Sequence, residues 1–482
     1  MLFNSINYAI FLPTIFLLYW LACRQRVRLQ NLLLLVASYF FYACWDWRFL
    51  FLLIFSTILN FGIGIQIEGA KTPSAKRRWF WLSICLNMVL LGVFKYYDFF
   101  VLSLRDSLSG IGVETNLSTL DLILPIGISF YTFHGLSYVI DIYLDRIRSE
   151  RNYIDYAFFV SFFPLLIAGP IERATHLLPQ LKATRTFDYD TAVDGMRQIL
   201  WGLFKKIVIA DNCARFANIL FDPAAEYSGS SYLLGAFFFS IQIYGDFSGY
   251  SDIAIGTARL LGINLLRNFA YPYFSRDIAE FWRRWHISLT TWFRDYLYFP
   301  LGGNRRGLWR TVLNTFIIFL VSGLWHGANW TFIVWGVLNA CYFLPLLLLG
   351  KNRQHLDIVA KGRRFPSFTE FRGITFTFTL TTIAWIFFRA ESLTHAWKIL
   401  RAVFSPSLFQ WPSFPTINYA YVNLILVFFF LWIEWLGREE PYAIAKFGQS
   451  RPAVVRVAFY LLIGFMIFSL QGRQNQFIYF QF

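Results

Sequence analysis

The sequence predicts an all-α fold, a polytopic bundle of membrane helices, and three observations carry that prediction. The first is composition: 57% of the 482 residues are hydrophobic, 21% are aromatic and only 15% are charged. Soluble globular domains average about 25% charged residues, and a soluble chain of this length needs more polar residues to cover its surface. The second is patterning. Apolar residues fall in runs of roughly 15 to 20, and about 20 residues at 1.5 Å each match the ~30 Å hydrocarbon core. The third is charge placement. The net charge of +15 would point to nucleic acid in a soluble protein, but the basic residues sit in short loops between the runs. Arg24, Arg26 and Arg28 form one such group, and Lys71, Lys76, Arg77 and Arg78 another. Cytoplasmic loops of membrane proteins carry this excess. A large soluble protein of buried helices is the alternative that composition disfavours.

The first run, Ile6 to Cys23, has no charge before it, and its arginines follow it. A signal peptide has the opposite order. The run reads as a retained span with its N-terminus outside and residues 24–28 in the cytoplasm. Further candidate spans lie near 30–45, 49–67, 79–97, 122–140, 156–171, 195–211, 231–247, 249–266, 311–325, 330–349, 373–388, 419–436 and 453–470. Pro164 and Pro170 interrupt one, and Lys205 and Lys206 another. About 11–13 membrane segments are expected, including re-entrant or interfacial helices. The longer polar stretches, near 98–121, 172–194, 351–370 and 389–417, read as loops, so residues 1–482 form a single integral membrane domain. No internal repeat is evident, which counts against many transporter folds. The five cysteines are scattered without a CxxC pair, so neither a disulfide framework nor a metal site is expected.

Residues 280–300 break the apolar pattern. Aromatic and charged residues alternate there too closely for a lipid-facing span. Trp282, Trp285 and Trp292 suit a half-wet interface, while Arg283, Arg284, Arg294 and Asp295 need water, partners or an anionic ligand. Two readings stand: an amphipathic helix lying on the membrane, or a helix lining the entry of an anionic substrate.

His326 is the principal candidate for chemistry. It lies in Ser322-Gly323-Leu324-Trp325-His326-Gly327-Ala328-Asn329-Trp330, between two apolar arms with basic outer ends. Both ends are then cytoplasmic. The first arm, 311–325, is about 22 Å long as a helix, shorter than the hydrocarbon core, so the histidine sits at membrane depth. An ionisable side chain there suggests function, and imidazole is the natural general base near neutral pH. A structural histidine bonding a neighbouring helix is the other reading. Gly323 and Gly327 allow close backbone approach, Trp325 and Trp330 wall the site, and Asn329 adds a polar group. His176, His355 and His395 fall in or near polar loops. A further block, residues 244–256, places Asp246, Asp252, Ser248, Ser251 and three glycines between apolar runs. Lipid cannot satisfy such groups, so they line a cavity or bond one another. No GxSxG, HExxH, P-loop or GxGxxG occurs.

Together these blocks resemble the membrane-bound O-acyltransferase superfamily, in the bacterial branch of alginate O-acetylation protein I, peptidoglycan O-acetyltransferases and teichoic acid D-alanyl transferases. The matching segments are ILPIGISFYTFHGLSYVIDIY at 123–143, AGPIER at 168–173, DFSGYSDIAIG at 246–256, FWRRWHISLTTWFRDYLYFPLGG at 281–303, GLWHGANW at 323–330 and FIYFQF at 477–482. They run in the family's order over almost the whole chain.

The resemblance implies a bundle with a central polar tunnel or funnel. His326 matches the family's signature histidine, and His286 the second polar position upstream. His134 stands where the branch usually has glutamine, which implies a local replacement outside the mechanism. The donor would be acetyl-CoA or another acyl thioester on the cytoplasmic side, with no permanently bound cofactor. His326 would take the acceptor's hydroxyl proton, and His286 would orient substrate or stabilise the oxyanion. Trp325, Asn329, Asp246, Ser248, Asp252, Arg283, Arg284 and Trp285 would line the tunnel or bind substrate. Tyr479, in the last six residues, has two readings: an aromatic interfacial anchor, or an acyl carrier forming a phenolic ester. A phenolate leaves more readily than an alkoxide, and similar C-terminal tyrosine motifs in the branch favour the carrier.

The implied function is O-acetylation of a cell-envelope or extracellular polysaccharide, in the bacterial inner membrane, with a periplasmic or extracellular acetyltransferase as partner and membrane lipids around the chain. The rivals are transfer of a D-alanyl or longer acyl group on the same fold, and a polytopic transporter or flippase. The polymer, whether alginate, cellulose or peptidoglycan, stays open.

Overall fold

The computed structural model describes residues 1–24, 26–448, 452–472 and 477–478. It is all-helical, with 70% helix and no strand among the described residues. Among the described residues six helices are long and apolar enough to cross a membrane: Trp47–Glu68, Pro73–Gly110, Leu308–His326, Trp330–Leu348, Phe368–Arg389 and Ile417–Leu436. Three shorter apolar helices, Ile6–Ala22, Val27–Ala43 and Ala453–Ser469, add to them. Ile425 and Phe428, and Leu461 and Phe468, point their large apolar side chains outward with most of their surface uncovered. Water would penalise such faces, and lipid solvates them. The chain is a polytopic membrane helical bundle.

Local sequence sets the helix ends. Thr72 caps the helix that begins at Pro73, accepting from the Ala75 N–H at 3.2 Å, and proline suits the first turn because its missing donor has no partner there. Ser367 and Glu370 form a reciprocal capping box at the start of Phe368–Arg389, which satisfies two otherwise orphaned donors.

The chain packs as two compact units. The first comprises Met1–Ala192 with Thr257–Leu266. Its helices Trp47–Glu68 and Pro73–Leu91 are joined by a buried polar knot. The Ser83 hydroxyl and the Asn87 amide both donate to Asn60 Oδ1, at 3.0 and 2.9 Å, as apolar helices in lipid require of their few polar groups. In the same unit the Glu172 N–H donates to His134 Nε2 at 3.2 Å. The Glu172 carboxylate accepts from the Leu266 N–H and pairs with His176 at 2.7 Å.

The second unit comprises Val193–Gly256 with Arg267–Phe482, and it holds both candidate histidines. Two apolar stretches that read as separate spans, 231–247 and 249–266, are largely one helix, Gly229–Leu260. Gly249 does not break it. The glycine serves packing instead: a Cβ there would come within 2.7 Å of the Gly202 carbonyl oxygen, and one on Gly202 within 2.6 Å of the Gly249 carbonyl oxygen. Gly256 meets the Gly195 carbonyl in the same way, at 2.5 Å. Small residues seven apart on both strands of this seam bring the backbones together, as in membrane helix pairs generally.

Candidate active site

The hairpin Leu308–His326 and Trp330–Leu348 forms as its pattern predicts, with its turn at 327–329. Glycines set its closeness. A Cβ on Gly323 would strike the Phe332 carbonyl, and one on Gly336 the Phe319 carbonyl. Asn329 caps the second arm, accepting from the Thr331 N–H at 3.0 Å, and its amide donates to the Glu391 carbonyl at 3.0 Å. These bonds fix the turn that presents His326.

His326 is the last residue of the first arm and is 4% exposed. Aromatic rings surround it: Trp325, Trp335 and Phe388 lie with centroids 4.9, 5.1 and 5.3 Å from the imidazole. Trp385 stacks on Trp335 at 5.7 Å, and Trp285 packs on Trp385 at 5.0 Å. The imidazole is thus packed in a cluster of aromatic rings.

His286 reaches the same aromatic cluster through Trp325. Residues 280–300 do not form one amphipathic helix. They fold as two short helices, Ile278–Arg284 and Ile287–Phe293, followed by a π-helical turn at Arg294–Tyr298. Trp282, Trp285 and Trp292 are all buried within the protein. The chain bends at His286, whose φ of 42° and ψ of 54° are left-handed, a conformation a non-glycine residue adopts only when its surroundings impose it. Asn268 imposes it here. Its carbonyl accepts the Ile287 N–H at 2.8 Å. Its side chain accepts from the Ser288 hydroxyl at 2.6 Å and donates to Ser251 at 3.0 Å. The bend sets the His286 ring nearly perpendicular to Phe247, 4.7 Å between centroids, and 5.9 Å from Trp325. Trp325 therefore contacts both imidazoles.

The arginines of this segment are engaged by protein. Arg284 pairs with Glu280 at 2.8 Å and donates to the Ala270 and Asp357 carbonyls. Arg283 donates to the Asn352 and His355 carbonyls, each at 2.7 Å. Arg276 closes the cluster on Glu280 and Asp357, and its guanidinium holds the Asp357 carboxyl below the usual carboxylate range.

Asp246, Ser248 and Asp252 gather with two buried lysines that the sequence marks only as interruptions of an apolar run. Lys205 and Lys206 lie in a π-helical stretch, Phe204–Ala210, a feature that often accompanies functional sites. Lys205 pairs with Asp252 at 2.6 Å and donates to Ser248 at 3.0 Å. Lys206 bridges Asp246 at 2.8 Å and Asp211 at 2.9 Å. Lys205, Ser248, Asp252, Arg267, Asn268 and Glu434 line a cavity of about 20 Å³, room for about one water. Tyr479 lies outside the described residues, but Phe477 and Ile478 are described and buried. Asn268, which braces the bend before Ile287, is a residue the sequence does not announce, because a lone loop asparagine has no periodicity or motif. No cluster of metal-ligating side chains occurs among the described residues.

Residues 143–388, which contain both histidines, match the family model of MBOAT, membrane-bound O-acyltransferase family. A protein described as "Probable alginate O-acetylase AlgI" from Azotobacter vinelandii is 43% identical over 398 residues, covering 82% of this chain and 76% of that protein. A peptidoglycan O-acetyltransferase from Helicobacter pylori is 37% identical over 421 residues, 82% of this chain and 77% of that protein. A teichoic acid D-alanyltransferase from Bacillus subtilis is 30% identical over 243 residues, 46% of this chain and 60% of that protein. The chain belongs to the membrane-bound O-acyltransferase family and is an O-acyltransferase.

Proposed function

We propose that the chain moves acetyl groups from a cytoplasmic acetyl thioester, acetyl-CoA or a carrier-bound equivalent, toward hydroxyls of a cell-envelope or extracellular polysaccharide. One observation carries this reading: two buried imidazoles, His286 and His326, share contact with one indole, Trp325, inside an aromatic cluster. His326 takes the proton of the attacking hydroxyl as its oxygen adds to the thioester carbonyl. His286 hydrogen-bonds the oxyanion of the tetrahedral intermediate. Collapse breaks the C–S bond, the imidazolium returns its proton to the thiolate, and the products are an acetyl ester and a free thiol. Burial among tryptophans excludes water that would otherwise hydrolyse the thioester.

The alginate and peptidoglycan O-acetylating relatives support acetyl and polysaccharide as the substrates. The D-alanyl alternative is supported by a more distant relative over a shorter stretch. The first acceptor is the Tyr479 phenol, which relays the acetyl group outward, and a periplasmic or extracellular acetyltransferase completes the transfer to polymer. The enzyme works in the bacterial inner membrane. The test uses purified protein in vesicles with labelled acetyl-CoA on one side and acceptor on the other. Release of free thiol on the donor side with label on the far-side acceptor is expected. Label passing only when donor and acceptor share a compartment refutes transfer across the bilayer.

A further inference from the structure

Residues 389–417 read in sequence as a polar loop, yet the chain there presents apolar surface. It leaves Phe368–Arg389 and enters Ile417–Leu436, two helices long and apolar enough to cross a membrane, so it lies at one membrane face. Ser392 caps a helix within it, Leu393–Val403, by accepting from the His395 N–H at 3.1 Å. The inner face of this helix is buried in the protein. Its outer face runs Leu393, Trp397, Arg401, Phe404, a spacing that keeps side chains on one side of a helix. Trp397 and Phe404 are 67% and 73% exposed, and Phe409 and Trp411 just beyond are 89% and 87% exposed. Arg401 is exposed and has no ion-pair partner among the described residues.

The scaffold beneath these side chains is fixed. The Gly229 N–H donates to the Ser407 hydroxyl at 2.9 Å, and the Ser413 N–H to the Ser231 hydroxyl at 3.0 Å. The Lys398 ammonium donates to the Ala225 carbonyl at 3.1 Å. A Cβ on Gly229 would come within 2.2 Å of the Ala402 carbonyl oxygen. The segment is thus clamped to residues 225–231 and turns its large aromatic side chains away from the protein. The headgroup layer suits that chemistry. An amphipathic helix sinks its apolar face about 5–10 Å into it, an indole there is half wet, and a guanidinium reaches a phosphate. The helix that follows continues the apolar exposure at Ile425 and Phe428. The segment is also tied to the hairpin turn: the Asn329 amide donates to the Glu391 carbonyl at 3.0 Å, and Phe388 meets the His326 ring at 5.3 Å. Trp330, beside Asn329, is half exposed.

We propose that residues 393–411 form an interfacial anchor. Trp397, Phe404, Phe409 and Trp411 enter the lipid surface, Arg401 stands at a phospholipid phosphate, and the anchor holds the turn after His326 at headgroup depth. This stands on the contacts above and does not depend on the acyl-transfer reading.

The test places the photoreactive residue benzoylphenylalanine singly at Trp397, Arg401, Phe404, Phe409, Trp411 and Trp330 of the full chain, with Phe428 as the lipid-facing control. Cells are irradiated, and the purified chain is weighed before and after alkaline hydrolysis of ester bonds. A mass gain of one phospholipid is expected at every position, with a yield comparable to that at Phe428. Hydrolysis should leave a fatty acid at the four aromatic positions of the anchor and glycerophosphate at positions 401 and 330. Adducts of the aromatic positions with another protein, or with a second copy of the chain, overturn the lipid contact. Probes that stay unreacted there while Phe428 reacts place the segment in water and overturn the anchor. A fatty acid left at position 401 overturns the placement of the arginine at phosphate, and no lipid adduct at position 330 overturns the depth of the turn.

Discussion

Replacing Asn268 by alanine should disable the enzyme without touching either histidine. The side chain bonds the hydroxyls of Ser251 and Ser288, at 3.0 and 2.6 Å. Each such buried bond is worth about 1 kcal/mol net, and a buried hydroxyl that loses its partner costs about 1–3 kcal/mol. The clamp around His286 therefore weakens by roughly 2–4 kcal/mol. The left-handed backbone at His286 stores about 1–3 kcal/mol, so a loss of that size is enough to let the bend relax. The Ile287 N–H bond to the Asn268 carbonyl survives the substitution, which leaves the segment tethered but no longer fixed. A displacement of about 1 Å at a catalytic group costs about 100-fold in rate. The assay is acetyl transfer at saturating thioester, with thermal melting of the same sample in detergent. We expect kcat to fall about 100-fold while the protein stays folded. Transfer within twofold of wild type would refute the claim that Asn268 holds His286 in place.

Other perturbations test other parts of the account. In the first unit, the hydrogen bond to the Glu172 carboxylate, helped by its charge, raises the His176 pKa above the usual value. A raised folded pKa stabilises below the unfolded value, about 6.5, and that contribution fades as pH climbs through the raised one. Glu172→Gln should therefore lower the melting temperature relative to wild type at pH 6 and much less at pH 9, and an equal deficit at both contradicts the pairing. Gly249→Ala places a Cβ 2.7 Å from the Gly202 carbonyl oxygen and 3.1 Å from the Lys206 backbone nitrogen. Overpacking of this kind costs about 1–3 kcal/mol, so melting and activity should both drop, and an unchanged melting temperature contradicts the close approach. Gly327→Ala drives a Cβ into the Phe332 ring. It should impair transfer by moving the turn after His326, and wild-type kcat would show that the turn tolerates the shift.

What could be read from sequence follows from which forces act locally. Apolar runs report burial in lipid directly, so the hairpin around His326 and the membrane class were both legible. Glycine is ambiguous in the same reading: at Gly249 it suggests a break, whereas the fold uses it for contact with Gly202 inside a continuous helix. Residues 280–300 look amphipathic because arginine and tryptophan alternate, yet Glu280 and backbone carbonyls satisfy Arg283 and Arg284 within the protein. Those partners lie up to about seventy residues away, beyond any local pattern. Lys205 and Lys206 appear in sequence as polar intrusions, and only the crossing of two helices reveals their carboxylate partners. Family resemblance singles out His286, while Asn268, whose carbonyl holds the Ile287 N–H beside it, has no sequence signal.

The central claim is that the His326 imidazole, buried among Trp325, Trp335 and Phe388, is the general base of acyl transfer. The direct measurement is thiol release and acceptor acetylation by purified wild-type, His326→Ala and His286→Ala proteins at saturating acetyl thioester, with melting curves to confirm folding. Removing a general base should lower transfer by about 10²- to 10⁴-fold in His326→Ala, with melting close to wild type. A folded His326→Ala protein that acetylates its acceptor within tenfold of the wild-type rate would contradict it.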